Sequence, residues 1–297
     1  MFESHYQLQR LRLKRLRFSL FFTYFRTIRT IRKERGGTCP MIANYHTHTA
    51  RCGHALGEDR EYAEAACAAG LQILGFSDHT PHYYLDGSTG RQTIRMRPDE
   101  LPGYAASVRA LKEEYRGRLD ILLGVEAEYY PALFARTVDM LRENGVEYMI
   151  LGQHFLGNEL NEPYCGRATD DPAILKRYVD QSIEGLRTGL FSCFAHPDLI
   201  NFAGDEALYD QQMRRLCRAA RETDTPLELN LLGMREGRQY PCEHFWQLAS
   251  EEGNAVILGF DAHEPEQLLD PFYEQEALRL ARRCGIEPIE KLTIRKI

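Results

Sequence analysis

Met41-Ile42-Ala43-Asn44-Tyr45-His46-Thr47-His48-Thr49 sets a short apolar lead-in against two histidines one residue apart. On a strand, residues i and i+2 point to the same face, so both imidazoles point one way and can share an ion. A lone His-x-His is weak evidence, since a solvent-facing strand end would read the same. The far end of the chain changes its weight. Val256-Ile257-Leu258-Gly259-Phe260 is a second apolar run, and it ends in Asp261-Ala262-His263 with the same spacing. Between them, Ser77-Asp78-His79, Gly124-Val125-Glu126, Gly152-Gln153-His154 and Ala195-His196-Pro197 each close an apolar, strand-like run. Six such runs end in a metal-ligand residue type, which coincidence explains poorly.

From Met41 onward these runs alternate with helical segments. Strands are expected at 42–49, 73–79, 120–129, 148–155, 191–196, 226–232 and 255–263. Helices are expected at 58–69, 98–116, 131–144, 172–188, 205–222, 242–252 and 266–284, with Pro98, Pro131 and Pro172 near three of their starts. Leu292-Thr293-Ile294 is expected to add a short closing strand, and 233–241 to be a loop. The loop carrying Pro81, Gly87, Gly90, Arg91 and Arg95 is long enough to act as a lid. Regular alternation argues an α/β fold with a parallel sheet and helices outside. Runs such as Ile121-Leu122-Leu123 are continuously apolar, as strands buried on both faces are. Seven strand–helix units in residues 41–297 fit a distorted (β/α)7 TIM-like barrel, with a doubly wound open sheet as the alternative. Catalytic groups in such barrels sit at the C-terminal strand ends, where the candidates here lie.

The 297 residues carry a formal charge of −6, unevenly spread. Residues 1–40 hold ten Lys/Arg against Glu3 and Glu34, a charge of +8, which leaves −14 for the remainder. That asymmetry marks 1–40 as a separate basic extension and 41–297 as the barrel domain. The extension reads as a disordered arm, an address or interaction helix, or sequence upstream of a natural start at Met41. Its apolar run, Phe18 to Phe25, is too short to span a membrane. Eight scattered cysteines without a C-x-x-C pair fit a reducing cytoplasm. Cys52 stands apart because it lies among the candidate ligands.

The candidates together are His46, His48, His54, His79, Glu126, His154, His196, Asp261 and His263, which include seven of the ten histidines. Imidazoles with a few carboxylates suit zinc, manganese or iron better than calcium or magnesium. Nine ligands exceed one ion, so two or three divalent ions with a bridging carboxylate are expected. Such sites suit phosphoester hydrolysis, because the ions acidify water, neutralise the phosphate and stabilise the leaving oxygen.

His46-Thr-His48, Cys52-Gly-His54, Ser77-Asp-His79, Gly124-Val-Glu126, His154-Phe, His196-Pro-Asp and Asp261-Ala-His263 together resemble the motifs of the PHP (polymerase and histidinol phosphatase) family. The resemblance covers about residues 41–297 and implies a distorted seven-stranded barrel with a trinuclear metal site. It implies one ion on His46, His48, Glu126 and Asp261. A second would share Glu126 and take His154 and His196, and a third would take His54, His79 and His263. Within the family, Glu228-Leu-Asn230-Leu-Leu-Gly233-Met-Arg235 with Tyr240-Pro241 is similar to the stand-alone histidinol-phosphate phosphatases. The implied reaction is direct hydrolysis of L-histidinol phosphate in histidine biosynthesis, with Glu126 and Asp261 at the catalytic centre; the alternative within the family is a nucleotide, phosphosugar or phosphotyrosine substrate. The implied partner is a small phosphate ester, with neither nucleic acid nor membrane expected.

Arg235 is the expected phosphate clamp, because Arg forks onto phosphate oxygens. Arg91, Arg95, Arg97, Arg167 and Arg238 compete with it. Asn230 is expected to orient substrate. Asp78 points away from His79 and is expected to support the site or the fold. Glu128 is expected at a solvated strand end, His82 in a loop, and Trp246 in the core. Amidohydrolases also place His-x-His after a first barrel strand, but here the last strand ends in Asp-x-His and no strand-end lysine offers a carbamate bridge. A non-catalytic metal-binding domain would be expected to have lost some of these ligands.

Overall fold

The computed structural model describes residues 41–84, 94–157, 159–160 and 162–297. The basic extension 1–40 and the Gly87–Arg91 part of the expected lid lie outside the described residues. Seven parallel strands form one sheet in chain order: β1 (Ala43–Asn44), β2 (Ile73–His79), β3 (Asp120–Ala127), β4 (Tyr148–Leu151), β5 (Phe191–Phe194), β6 (Leu227–Asn230) and β7 (Val256–Gly259). Beyond β7 the ring closes on its start. Thr47 bridges Ala262 in parallel, with His48 N–H donating to Ala262 O at 2.9 Å and Ala262 N–H to His46 O at 3.2 Å. The barrel reading therefore holds and the open sheet does not.

The helices are α1 (Asp59–Ala69), α2 (Leu101–Glu114), α3 (Phe134–Glu143), α4 (Pro172–Arg187), α5 (Glu206–Glu222), α6 (Leu231–Glu236), α7 (Glu243–Glu251) and α8 (Pro271–Arg283). Three expectations are corrected. The β6 strand stops at Asn230, and the expected loop begins instead as α6, because the Asn230 side chain caps Gly233 N–H. The expected helix 266–284 is split. Pro265–Leu269 is a short 3-10 turn, and Pro271 then opens α8 behind an Asp270 cap, where a missing N–H costs nothing. Leu292–Ile294 forms no strand.

Period-two alternation sorts the strand residues into two cores. Met149 and Leu151 of β4 and Val256 and Leu258 of β7 pack in the layer between sheet and helices. Tyr148, Ile150 and Ile257 face the barrel interior with Ala43, Tyr45, Cys193, Ala195 and Leu292. Leu292 arrives from the C-terminal tail, which crosses the N-terminal end of the barrel. Ile289 N–H donates to Val256 O at 2.8 Å and Leu292 N–H to the Tyr45 hydroxyl at 3.2 Å. One end of the barrel is thus plugged, and the other is left open for a site.

Candidate metal centre

Glu126, near the end of β3, sits at the middle of the open end and is only 1% exposed. Five imidazoles surround its carboxylate. Oε1 lies 2.9 Å from His196 Nε2 and 3.4 Å from His154 Nε2. Oε2 lies 3.0 Å from His79 Nδ1, 3.5 Å from His46 Nε2 and 3.6 Å from His48 Nε2. The two oxygens thus face different sets of nitrogens. The side chain crosses Gly152, where a Cβ would stand 2.0 Å from Oε1. Only glycine allows that approach.

Asp261 completes the first side, with Oδ1 3.3 Å from His46 Nε2 and 3.0 Å from His48 Nε2. On the other side His54 Nε2 lies 3.0 Å from His263 Nε2. Ligand atoms close enough to share an ion occur in His46–His48–Glu126, His46–His196–Asp261, His79–Glu126–His154 and His54–His79–His263.

Four rings are aimed from behind. His46 Nδ1 is 2.8 Å from Glu228 Oε2, and His154 Nδ1 is 3.1 Å from Glu128 Oε1. His54 Nδ1 is 3.1 Å from Cys52 O, and His263 Nδ1 is 3.0 Å from Asp261 O. These oxygens only accept, so Nδ1 carries the proton and Nε2 turns its lone pair to the interior. His46 Nε2 lies 3.1 Å from His48 Nε2. Glu126 Oε2 and Asp261 Oδ1 are buried acceptors without a donor. Converging lone pairs and orphaned carboxylate oxygens fit divalent cations.

The electrostatics point the same way. Burial works against a charge on His46, but Asp261, Glu228 and Glu126 outweigh it and hold its pKa well above the usual range. Burial is likewise overcome at His48, which Asp261 and Asp78 raise to about 9. Burial and then the His48 charge push His263 down to about 3. Against burial, the surrounding histidines hold Glu126 and Asp261 well below the usual carboxylate range. The cage attracts positive charge, and some of its imidazoles stay free to ligate.

His196 and Asp261 both have positive φ, 33° and 50°. For residues other than glycine such a backbone costs about 1–3 kcal/mol, and it recurs where a side chain must be aimed for function. The cage opens into a cavity of about 530 Å³. Ile94, Phe155, Tyr164, Leu232 and Tyr240 form its apolar wall, and Arg238 lines it too.

The family model of the PHP domain matches residues 44–231. The chain belongs to the PHP family. It is 31% identical over 243 residues to the "Probable histidinol-phosphatase" of Deinococcus radiodurans, covering 76% of this chain and 88% of that protein. The "Probable histidinol-phosphatase" of Schizosaccharomyces pombe is 23% identical over 261 residues, 77% of this chain and 82% of that one. Among solved structures, the histidinol phosphate phosphatase of Lactococcus lactis, complexed with zinc, L-histidinol and phosphate, superposes with a TM-score of 0.65. That match has 16% identity and spans 85% of this chain and 99% of that one, a likeness of fold.

All nine sequence-predicted ligand positions of this PHP chain converge at the open end. Two substrate-binding expectations do not survive. Asn230 is fully buried and spends its side chain on Asp261 Oδ2 at 3.1 Å, Glu228 Oε1 at 3.2 Å and the α6 cap. It holds the site's carboxylates and does not reach the cavity. Arg235 turns out of the cavity, with Nη2 3.4 Å from Gln267 O and 3.5 Å from Asp270, and its guanidinium over the Tyr273 ring. Arg238 takes the cavity position, its Nη1 donating to the Tyr240 hydroxyl at 2.8 Å.

Glu128 is also corrected. It is buried, pairing with Arg95 and His154. Arg95, one of the competing clamps, is itself 1% exposed and unavailable to a phosphate. Glu228 was missed as a support for His46. Its signal was two-residue spacing from Asn230 on an apolar strand, and Gly259 makes room for it, since a Cβ there would lie 1.9 Å from its Oε1. Asp78 is buried beside the site as expected, 3.5 Å from His48 Nδ1 and paired with Thr49 Oγ1. Cys52 lies near His48 and His263, and burial and then Asp78 push its thiol up to about 12.

Proposed function

We propose that the chain is a metal-dependent phosphomonoesterase that converts L-histidinol phosphate to L-histidinol and inorganic phosphate. The observation that carries the reading is Glu126, one buried carboxylate whose two oxygens face separate sets of imidazoles. The names and the bound ligands of the relatives support the choice of substrate.

In this reading His46, His48, Glu126 and Asp261 hold one ion, Glu126, His154 and His196 a second, and His54, His79 and His263 a third. Zinc, manganese and iron all suit the nitrogen-rich donors. When bound, such ions supply an acidified water and offset the charge of the phosphoryl oxygens. Glu126 keeps the ligand sets at a fixed separation. Glu228, Glu128 and Asn230 hold His46, His154 and Asp261 in their orientations. Arg238, held by Glu236 through Nε at 2.7 Å and by the Tyr240 hydroxyl, presents its positive charge to the phosphoryl oxygens from the cavity wall. Arg235 acts one step back, on Gln267, whose side chain accepts from His263 N–H at 2.7 Å. Phe155, Tyr164, Leu232 and Tyr240 exclude water around the organic part of the substrate.

Among the described residues no helix is long and apolar enough to cross a membrane. The seven cysteines among the described residues are free, which is compatible with a reducing compartment, and we assign the enzyme to the cytoplasm.

The test is phosphate release by the full chain loaded with Zn²⁺ or Mn²⁺, from L-histidinol phosphate and a panel of other phosphomonoesters. A strong preference for histidinol phosphate, abolished by chelation, is the expected result. Cleavage of other esters only would overturn the substrate, and no cleavage by the metal-loaded protein would overturn the reaction.

A further inference from the structure

Behind the cavity wall, Glu128, which holds His154, belongs to a buried ionic network whose other members have no role in the proposed reaction. Arg95 is 1% exposed, and its guanidinium grips Glu128 with two bonds, Nη2 to Oε1 at 3.0 Å and Nη1 to Oε2 at 3.1 Å. Nη1 also donates to Thr80 O at 2.9 Å, and Nε donates to Glu159 Oε1 at 2.7 Å. Glu159 accepts from the Tyr84 hydroxyl as well. Glu128 Oε1 is the same oxygen that receives His154 Nδ1–H at 3.1 Å, and Oε2 faces His82 Nε2 at 3.4 Å.

We propose that Arg95 and Glu159 are positioning residues for His154, acting through Glu128. The geometry is directional. A forked guanidinium fixes both carboxylate oxygens in a plane, so Oε1 meets Nδ1–H in one orientation. With Nδ1 fixed, Nε2 faces Glu126, 3.4 Å away. Arg95 and Glu159 also come from the two segments that supply cavity wall. Ile94 precedes Arg95, and Phe155 follows His154. The network therefore ties the wall and the imidazole to one set of hydrogen bonds. Removing the arginine would leave Glu128 and Glu159 buried without a counter-charge, free to turn away from His154.

This inference rests on the metal-centre reading, and its test separates the two. Arg95→Met, Arg95→Lys, Glu159→Gln and, as a control, Arg97→Met are made in the full chain. Arg97 is exposed and, among the described residues, pairs locally with Asp99 and Glu100. Zn²⁺ stoichiometry and affinity are measured by equilibrium dialysis, and backbone hydrogen exchange at residues 154–156 is followed in metal-free protein. The expected result is about a 10–100-fold weaker hold on one ion in Arg95→Met, the usual effect of losing a support behind a ligand. Arg95→Lys should fall between, because it keeps the charge and loses the fork. Glu159→Gln should weaken binding least, exchange at 154–156 should quicken in the same order, and Arg97→Met should match wild type. Wild-type affinity and exchange in both Arg95→Met and Glu159→Gln would overturn the inference. If Arg95→Met fails to fold, Arg95→Lys and Glu159→Gln decide by the same criterion. A wild type that binds no ion overturns the metal centre instead, and exchange at 154–156 then decides the positioning role alone.

Discussion

At the C-terminal ends of the strands, seven imidazoles and two carboxylates converge with several buried polar atoms left unpaired. At the N-terminal ends, the last residues of the chain lie across the opening. Leu292 fills the interior beside Tyr45 and Tyr148, and the Arg295 guanidinium donates to Thr225 Oγ1 at 3.0 Å and Asp224 O at 2.7 Å. Both ends continue the same alternation. Along β4 the alternate residues Tyr148 and Ile150 pack the interior, and the next two on that parity are Gly152 and His154. Along β7 the series is Ile257, Gly259, Asp261 and His263. The plugged end is filled by the chain's own side chains and hydrogen bonds. The open end does not, because its carboxylates and imidazoles are arranged for groups outside the chain. Positive φ at His196 and Asp261 aims two ligand residues at the open end, whereas Asp224 (φ 51°) at the plugged end only shapes the turn that Arg295 bonds.

Changes at the open end should remove activity with little loss of fold, and changes at the plugged end the reverse. The largest effect is expected for Glu126→Gln, which keeps the volume and removes the bridging charge. Its kcat should fall about 100–1000-fold, the scale of losing a central electrostatic group, with reduced metal content by elemental analysis. A near-wild-type rate would end the bridging role. Glu228→Gln comes next, with about 10–100-fold weaker metal binding in dialysis, since His46 loses its aiming carboxylate. Arg238→Ala should raise KM and lower kcat/KM more than Arg235→Ala does, and the reverse order in steady-state kinetics would return the clamp to Arg235. The smallest effect on catalysis is expected for Leu292→Ala. It should cost about 2 kcal/mol of stability, at the low end for a buried leucine, and leave kcat unchanged. A lowered melting temperature with wild-type kcat would sharpen the contrast between the ends, whereas a lost kcat would break it.

Residues that act through strand parity were legible in advance. His46 and His48, or Asp261 and His263, need only the two-residue period and the end of an apolar run to be aimed. Residues whose role depends on where a second segment packs were not. Glu128 has the parity of Glu126 but reads as solvated until Arg95 and Glu159 cover it. Arg235 and Arg238 are three residues apart, but Arg235 is on α6 and Arg238 follows the left-handed Gly237 that ends it, which sends the second arginine to the cavity. That helix exists because Asn230, expected to touch substrate, caps it instead.

By itself the sequence determined the strand–helix alternation and the nine candidate positions at strand ends, which follow from periodicity and ligand chemistry, and its motifs carried the resemblance to the family. Only the tertiary structure decided which carboxylates aim the imidazoles, which arginine enters the cavity and which is buried as a counter-charge. Those choices depend on contacts between segments far apart in the chain, where burial and hydrogen-bond geometry, not local spacing, set the role of a charged side chain.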